Sequence, residues 1–134
     1  MSGDVVDVRF AFSVDEIMLC FPVMAQLRPH LVAEKFVDRV RRQELDGYHL
    51  AFIEAEGKVV AVAGFRLSEN LAWGRFLYVD DLVTDEAERS RGHGQELLEW
   101  LVEYARQQDC DQLHLDSGVQ RFGAHRFYLR HGMD

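Results

Sequence analysis

Basic residues and glycines concentrate in one short stretch of an otherwise acidic chain. The sequence RSRGHGQ, at positions 89–95, places two arginines and two glycines directly before an amphipathic run. Glycines let a ligand approach the backbone closely, and the N–H groups that open a helix bind anions with the help of the helix dipole. Arginine side chains add charge-assisted hydrogen bonds. The stretch therefore predicts a phosphate-binding loop, with a surface loop that only caps a helix as the alternative.

The spacing of the glycines separates three kinds of phosphate-binding loop. A Walker loop ends in Gly-Lys followed by Ser or Thr, whereas here Gly94 is followed by Gln95. A dinucleotide fingerprint needs a glycine three positions after the second one, where this chain has Leu97. The pattern that fits is Arg-x-x-Gly-x-Gly, formed by Arg89, Gly92 and Gly94.

The elements that must position this loop follow from changes in the hydrophobic period. The segment DVVDVRFAF alternates and predicts a first strand. Ser13 and Glu16 have the spacing of a capping box and predict a helix that runs to about position 27. A second helix is predicted over 31–45. YHLAFIEA and VVAVAGFRL then flank EGK, which indicates a hairpin turning near Gly57.

The second half of the chain predicts a parallel unit around the loop. A turn near Asn70 leads into the long strand candidate GRFLYVDDLVT, and a helix is predicted over 90–108. A short strand, DQLHLDSG, and a final short helix, GAHRFYLRHGM, follow. The order is β-α-α-β-β-β-α-β-α, with a βαβ unit after the first hairpin. We therefore expect an α/β fold with a mixed central β-sheet flanked by helices.

Length and charge limit the classes of function. The chain has 134 residues, which predicts a single domain over 1–134, and 15 basic against 23 acidic residues give a net charge of -8. That balance argues against nucleic-acid binding and mildly favours a cationic partner such as an amine. The two cysteines form no disulfide framework, and we find no signal peptide or membrane-length apolar run. We expect a cytoplasmic protein with no membrane partner.

Two segments resemble motifs of the GCN5-related N-acetyltransferases, the GNAT superfamily. DDLVTDEAERSRGHGQELLEWLVEYA is similar to the family's acetyl-CoA motif, and AHRFYLRHGM is similar to its last motif, with Met133 in place of the final Phe. The order of elements also matches, so the resemblance covers nearly the whole chain. It implies a GNAT-like fold and direct transfer of an acetyl group from acetyl-CoA to a primary amine of a small molecule or an exposed amino group. Family members are often dimers, so a homodimer is possible.

The resemblance also implies which residues contact the cofactor. The thioester arm would lie along a bulged strand as an added strand, with one backbone N–H polarising the thioester carbonyl, and the pyrophosphate would lie on the loop. Arg121 stands where the family often has Asn, and it could contact a CoA phosphate. The implied cofactor-binding residues are Leu82, Val83, Thr84, Arg89, Ser90, Arg91, Gly92, His93, Gly94, Gln95 and Arg121.

Three residues are candidates for the chemistry. An amine with a pKa of about 10.4 is protonated at neutral pH, so a base must remove a proton before it can attack. The polyamine-acetylating branch of the family has an acidic residue that aligns with Asp80, which favours Asp80 as base or amine anchor and Asp81 as second choice. Because successive side chains of a strand alternate, we expect these two carboxylates on opposite faces. Tyr128 matches the tyrosine that returns a proton to the thiolate in many family members.

Three further expectations complete the sequence-based account. His125 and His131 are six residues apart, which is not a helical metal-ligand spacing, so we predict no metal. The family's fold normally continues beyond the last motif, so one or two C-terminal strands are expected to be missing here or supplied by another subunit. A non-catalytic CoA-binding regulatory module is the alternative function, and a dinucleotide-type domain is a third.

Overall fold

The computed structural model describes residues 7–116 and 124–128. Six strands form one mixed sheet in chain order, in which the fourth and fifth strands are parallel and all other neighbours are antiparallel. This confirms the predicted α/β fold. The elements are β1 (Val8–Phe10), α1 (Val14–Leu27), α2 (Ala33–Glu44), β2 (Tyr48–Ala55), β3 (Lys58–Asn70), β4 (Gly74–Thr84), a 3₁₀ helix (Glu86–Arg91), α3 (His93–Gln107), β5 (Gln112–Asp116) and β6 (Ala124–Tyr128).

The last described element differs from the prediction. The segment expected to form a final short helix is strand β6 over Ala124–Tyr128, antiparallel to β5. Pairing with the exposed edge of β5 satisfies the backbone of this segment, and its two adjacent aromatic residues also favour a strand. Positions 129–133 of the predicted helix lie outside the described residues. Within the described residues, no helix is long and apolar enough to cross a membrane.

Local sequence signals account for the ends of the other elements. Ser13 accepts from the backbone N–H of Glu16, and the Glu16 carboxylate accepts from that of Ser13, so the predicted capping box opens α1. The β2–β3 hairpin turns at Glu56 and Gly57, both with positive φ, which suits a tight two-residue turn. At the next turn, Asn70 accepts from the backbone N–H of Trp73.

Helices cover both faces of the sheet and create two cores. Alternate residues of β2 and β3 belong to opposite cores: Ala61 and Ala63 pack in the cluster with α3, while Val62 packs in the cluster with α1 and α2. Buried α3 residues such as Leu97 and Leu101 complete the first core, and Ile17 of α1 belongs to the second. This alternation is the period-2 pattern of a sheet that is covered on both sides.

Strand β4 contains a bulge at its centre. Gly64 of β3 lies opposite Asp81, but the next β3 residue, Phe65, lies opposite Val79, so Asp80 is an extra residue. The bulge reverses the alternation of the strand. Val79 before it and Leu82 after it both pack in the α3 core, although they differ by an odd number of positions. The bulge therefore decides which side chains of β4 face α1 and α2.

Candidate active site

Strand β4 loses one of its neighbours just where the bulge begins. Its pairing with β5 ends at Val79 opposite Leu115, while its pairing with β3 continues to Thr84 opposite Ala61. Among the described residues, the β5-facing edge of β4 therefore has no strand partner over 80–84. A strand edge with unpaired N–H and C=O groups can accept an extended ligand as an added strand. The predicted cofactor-contacting residues Leu82, Val83 and Thr84 lie on this open edge.

The start of α3 is held against the end of β4. A Cβ added to Gly94 would lie 2.9 Å from Thr84 Oγ1, so any larger residue would require the Thr84 side chain or the start of the helix to shift. Gly92, the residue that precedes α3, has φ of 79°, and a Cβ added there would meet nothing within 4 Å. No side chain of a described residue caps α3. Because the first N–H groups of a helix have no partner within it, these donors remain available to an anion.

The remaining residues of the predicted loop are distributed around this helix start. Arg89 and Arg91 end a short 3₁₀ helix that replaces the predicted irregular loop, and both are exposed. Arg91 lies 3.7 Å from Glu88, and Arg89 has no hydrogen bond or ion pair with another described residue. His93 Nδ1 lies 3.3 Å from Glu96 Oε1, so this ring nitrogen has its partner within α3. Gln95 is exposed, and Ser90 is described by its backbone alone.

Both predicted carboxylates face one cleft between β4 and the two N-terminal helices. The cleft has a volume of about 290 Å³, and Asp80 and Asp81 line it together. The expectation that they point to opposite faces is wrong, because the bulge interrupts the alternation between them. Burying two like charges side by side requires compensating donors, and the cleft supplies them.

Both carboxylate oxygens of Asp81 accept hydrogen bonds from other side chains. The Arg28 Nε donates to Oδ1 at 2.9 Å, and the Tyr48 hydroxyl donates to Oδ2 at 2.9 Å. Tyr48 reaches Asp81 across β3 because residue 64 is a glycine: a Cβ there would collide with the Tyr48 hydroxyl and lie 2.8 Å from Asp81 Oδ2. Burial, followed by the charge of Asp81, raises the pKa of Tyr48 well above its usual value, so the phenol stays a donor.

Asp80 keeps one carboxylate oxygen without a partner among the described residues. Its Oδ2 accepts from Arg66 Nε at 2.6 Å, and Arg66 is itself held by Gln43 at 2.6 Å. Burial raises the pKa of the Asp80 carboxyl, and the hydrogen bond and charge of Arg66 partly oppose that rise. An acidic side chain with a raised pKa and an available oxygen in a cleft can accept a proton or bind an ammonium group.

Comparison with known proteins identifies the family. The family model described as "Acetyltransferase (GNAT) family" matches residues 13–133, which is most of the chain. The chain belongs to the GNAT family. It is an acetyl-CoA-dependent N-acetyltransferase, as the resemblance implied. The chain is 32% identical over 109 residues to an uncharacterized N-acetyltransferase, YhdJ, of Bacillus subtilis strain 168, covering 81% of this chain and 77% of the relative.

Two further similarities concern an acceptor and the cofactor. The chain is 28% identical over 130 residues to the aminoalkylphosphonate N-acetyltransferase of Salmonella typhimurium strain LT2, covering 96% of this chain and 84% of that protein. A predicted acetyltransferase of Clostridium acetobutylicum, solved with acetyl-CoA, superposes with a TM-score of 0.67 at 14% identity, covering 89% of this chain and 84% of that one. The GNAT fold binds acetyl-CoA, and the open edge of β4 with the uncapped start of α3 fits such a ligand.

Four residues in or beside this GNAT cleft carry no sequence motif. Arg28, Tyr48, Gly64 and Arg66 come from α1, β2 and β3, and each contacts or makes room for Asp80 or Asp81. Their spacing along the chain has no period, so a single sequence gives no signal for them. The glycine inside the buried strand β3 was the one available hint, since an isolated strand glycine indicates a close approach.

The side chains of two predicted site residues are not among the parts of the chain that the structure describes. Tyr128 is the last residue of β6 and pairs with Gln112 of β5, and only its backbone is described. Arg121 lies outside the described residues. Their roles in this GNAT enzyme stay predictions.

Proposed function

We propose that this enzyme transfers an acetyl group from acetyl-CoA directly to the primary amine of a small molecule, with Asp80 as the group that receives the amine. The observation that carries the proposal is the bulge of β4. It places Asp80 in the cleft at the same point where β4 opens its edge toward β5. The named activity of the Salmonella relative, acetylation of an aminoalkylphosphonate, supports a small-molecule amine.

The binding surface for acetyl-CoA is assigned to backbone groups. The N–H groups from Gly92 to Gln95 would hold the pyrophosphate at the start of α3, and Arg89 is available to add charge. The open edge over 82–84 would hold the extended arm and donate one N–H toward the thioester oxygen. Acetyl-CoA itself supplies an activated acyl group.

The chemistry needs one proton acceptor and one proton donor from the chain. Asp80 removes a proton from the ammonium form of the acceptor, directly or through water, so that the nitrogen lone pair can attack the carbonyl carbon. The new C–N bond forms as the C–S bond breaks, the nitrogen releases its second proton to solvent, and Tyr128 protonates the departing thiolate. Both cysteines are buried, and burial raises the pKa of the Cys20 thiol to about 12, which argues against an acetylated cysteine intermediate.

Turnover of a panel of primary amines, followed by release of free CoA, tests the proposal. Calorimetry with acetyl-CoA establishes binding first. We expect Asp80→Asn to lower kcat by about 10²-fold or more while leaving acetyl-CoA affinity unchanged, since general-base catalysis contributes on that scale. Asp38→Asn, at an exposed α2 position with no described side-chain contact, is the matched control. Binding of acetyl-CoA without transfer to any amine would instead support a regulatory module.

A further inference from the structure

The cleft that contains Asp80 also contains a cation that the reaction does not use. Arg39 of α2 lines the cleft, is exposed, and has no hydrogen bond or ion pair with another described residue. The other cleft arginine, Arg28, is committed to Asp81 at 2.9 Å and to the Asp80 carbonyl oxygen at 3.1 Å. His30 lies at the same cleft and is also exposed. Arg28 pairs with Asp81 and Arg66 pairs with Asp80, which leaves Arg39 as a cleft cation without a described ion pair and Asp80 with one available carboxylate oxygen.

The position of Arg39 on α2 is set by the helical repeat. Phe36, Arg39, Val40 and Gln43 follow the i, i+3, i+4, i+7 spacing, so they share the face that borders the cleft. Phe36 and Val40 are buried and give that face an apolar character beside the charges. The neighbouring Arg42 lies off this face and does not line the cleft.

The same helix relates Arg39 to the residues that hold Asp80. Gln43 holds Arg66, and Arg66 holds Asp80, so Gln43 marks the Asp80 end of the cleft. Arg39 precedes Gln43 by four residues, which is roughly 6 Å along a helix that rises about 1.5 Å per residue. Arg39 and Asp80 line the same cleft of about 290 Å³, so a ligand with an amine and an anion joined by a short alkyl chain can meet both.

We propose that the acceptor is a primary amine that also carries an anionic group, with the ammonium end at Asp80 and the anion at Arg39. The proposal rests on the proposed function and specifies its acceptor. A diamine of the same length would place its second ammonium beside Arg39, so like-charge repulsion would exclude it. The overall negative charge of the chain therefore does not describe this cleft, which presents an available Asp80 oxygen and the charge of Arg39 to one ligand.

Four amines of matched length test this selectivity. 3-Aminopropylphosphonate and 4-aminobutyrate carry an anion, butylamine carries no second charge, and 1,4-diaminobutane carries a second cation. We expect kcat/KM to be at least about 10-fold higher for an anionic amine than for butylamine, with the diamine lowest. The two anionic compounds distinguish a phosphonate from a carboxylate. Equal or higher kcat/KM for butylamine or the diamine would overturn the proposal.

Variants of α2 separate charge recognition from structure. Arg39→Gln should lower kcat/KM about 10-fold for the anionic amines and leave kcat/KM for butylamine unchanged. Arg39→Lys should retain part of the preference for anionic amines over butylamine. Arg42→Gln is the matched control on the same helix and should change neither. A uniform loss for all four amines in Arg39→Gln would indicate a structural role and refute anion recognition.

Failure of the two proposals gives different results. If no amine in the panel is acetylated, the proposed function fails, and calorimetry with CoA present then measures the binding of 3-aminopropylphosphonate and butylamine directly. Tighter binding of the phosphonate that is lost in Arg39→Gln would still support an anion site at Arg39. Equal binding of the two compounds would refute it.

Discussion

Tyr48 donates its hydroxyl proton to Asp81 at 2.9 Å from a position that is only 5% exposed. Replacing Tyr48 with Phe removes that donor and keeps the ring, which packs under Arg66 with 5.3 Å between the guanidinium carbon and the ring centroid. Among the described residues, Arg28 would be the one side-chain donor that Asp81 keeps. A hydrogen bond to a charged group contributes about 1.5–3 kcal/mol, and the retained Arg28 places the expected loss near the lower end, at about 1.5–2 kcal/mol.

Urea denaturation at neutral pH measures this loss. With a slope of about 2 kcal/mol per molar urea, the midpoint of the Tyr48→Phe variant should fall by roughly 0.8–1 M. Tyr104→Phe is the matched control, because the Tyr104 hydroxyl has no hydrogen bond to another described residue and its ring stacks on Trp100. A double-mutant cycle with Asp81→Ala isolates the pair. If Tyr48→Phe lowers the free energy of unfolding no more than Tyr104→Phe does, the hydrogen bond makes no net contribution to stability and the prediction is wrong.

The same variant predicts a specific dependence on pH. The pKa of Tyr48 is raised in the folded state, so its contribution is fully present below the usual value of 10.0. Above that pH the unfolded chain loses the proton while the folded protein keeps it, and the free energy of unfolding falls by up to about 1.4 kcal/mol per pH unit. The Tyr48→Phe variant lacks this contribution, so the difference between the two proteins should shrink above pH 10. A constant difference would contradict the raised pKa.

Three further predictions concern the reaction and the cofactor site. The raised pKa of Asp80 should place the acidic limb of the kcat/KM profile above the usual carboxyl value of 3.8, with activity lost as pH falls, and Asp80→Asn should abolish that limb. Gly94→Ala should lower the free energy of unfolding by about 1–3 kcal/mol and weaken CoA binding in calorimetry, because its Cβ would lie 2.9 Å from Thr84 Oγ1. Adding Thr84→Ala should restore much of the stability and the affinity, and no restoration would exclude this contact as the cause. Tyr128→Phe should lower turnover more than cofactor affinity, so a loss of affinity alone would refute its role as proton donor.

Elements whose sequence signals lie in neighbouring residues were predicted correctly. The capping box at Ser13, the hairpin turn at Gly57 and the amphipathic repeat of α3 are local patterns, and each leads to the expected element. The glycine spacing of the loop is local in the same sense. One motif therefore indicated the helix start, and its phosphate-binding character stays a prediction.

Features that depend on pairing or packing with distant elements could not be predicted from the sequence. The last segment pairs with β5 as a strand, because an available sheet edge outweighs local helix propensity. The register shift between β3 and β4 turns Asp80 and Asp81 to one face, and no local pattern in the sequence marks it. The network of Arg28, Tyr48 and Arg66 joins three separate elements and has no period along the chain.

The sequence by itself determined the family and the pair of acidic residues, and it predicts a cofactor-binding loop, because each depends on residue types within a short stretch. The tertiary structure decided how that pair is used. The bulge brings both carboxylates into one cleft, Tyr48 and Arg28 occupy Asp81, and Asp80 retains an available oxygen. Arg39 becomes relevant for the same reason, since only packing of α2 against the sheet brings its charge to the cleft that Asp80 faces.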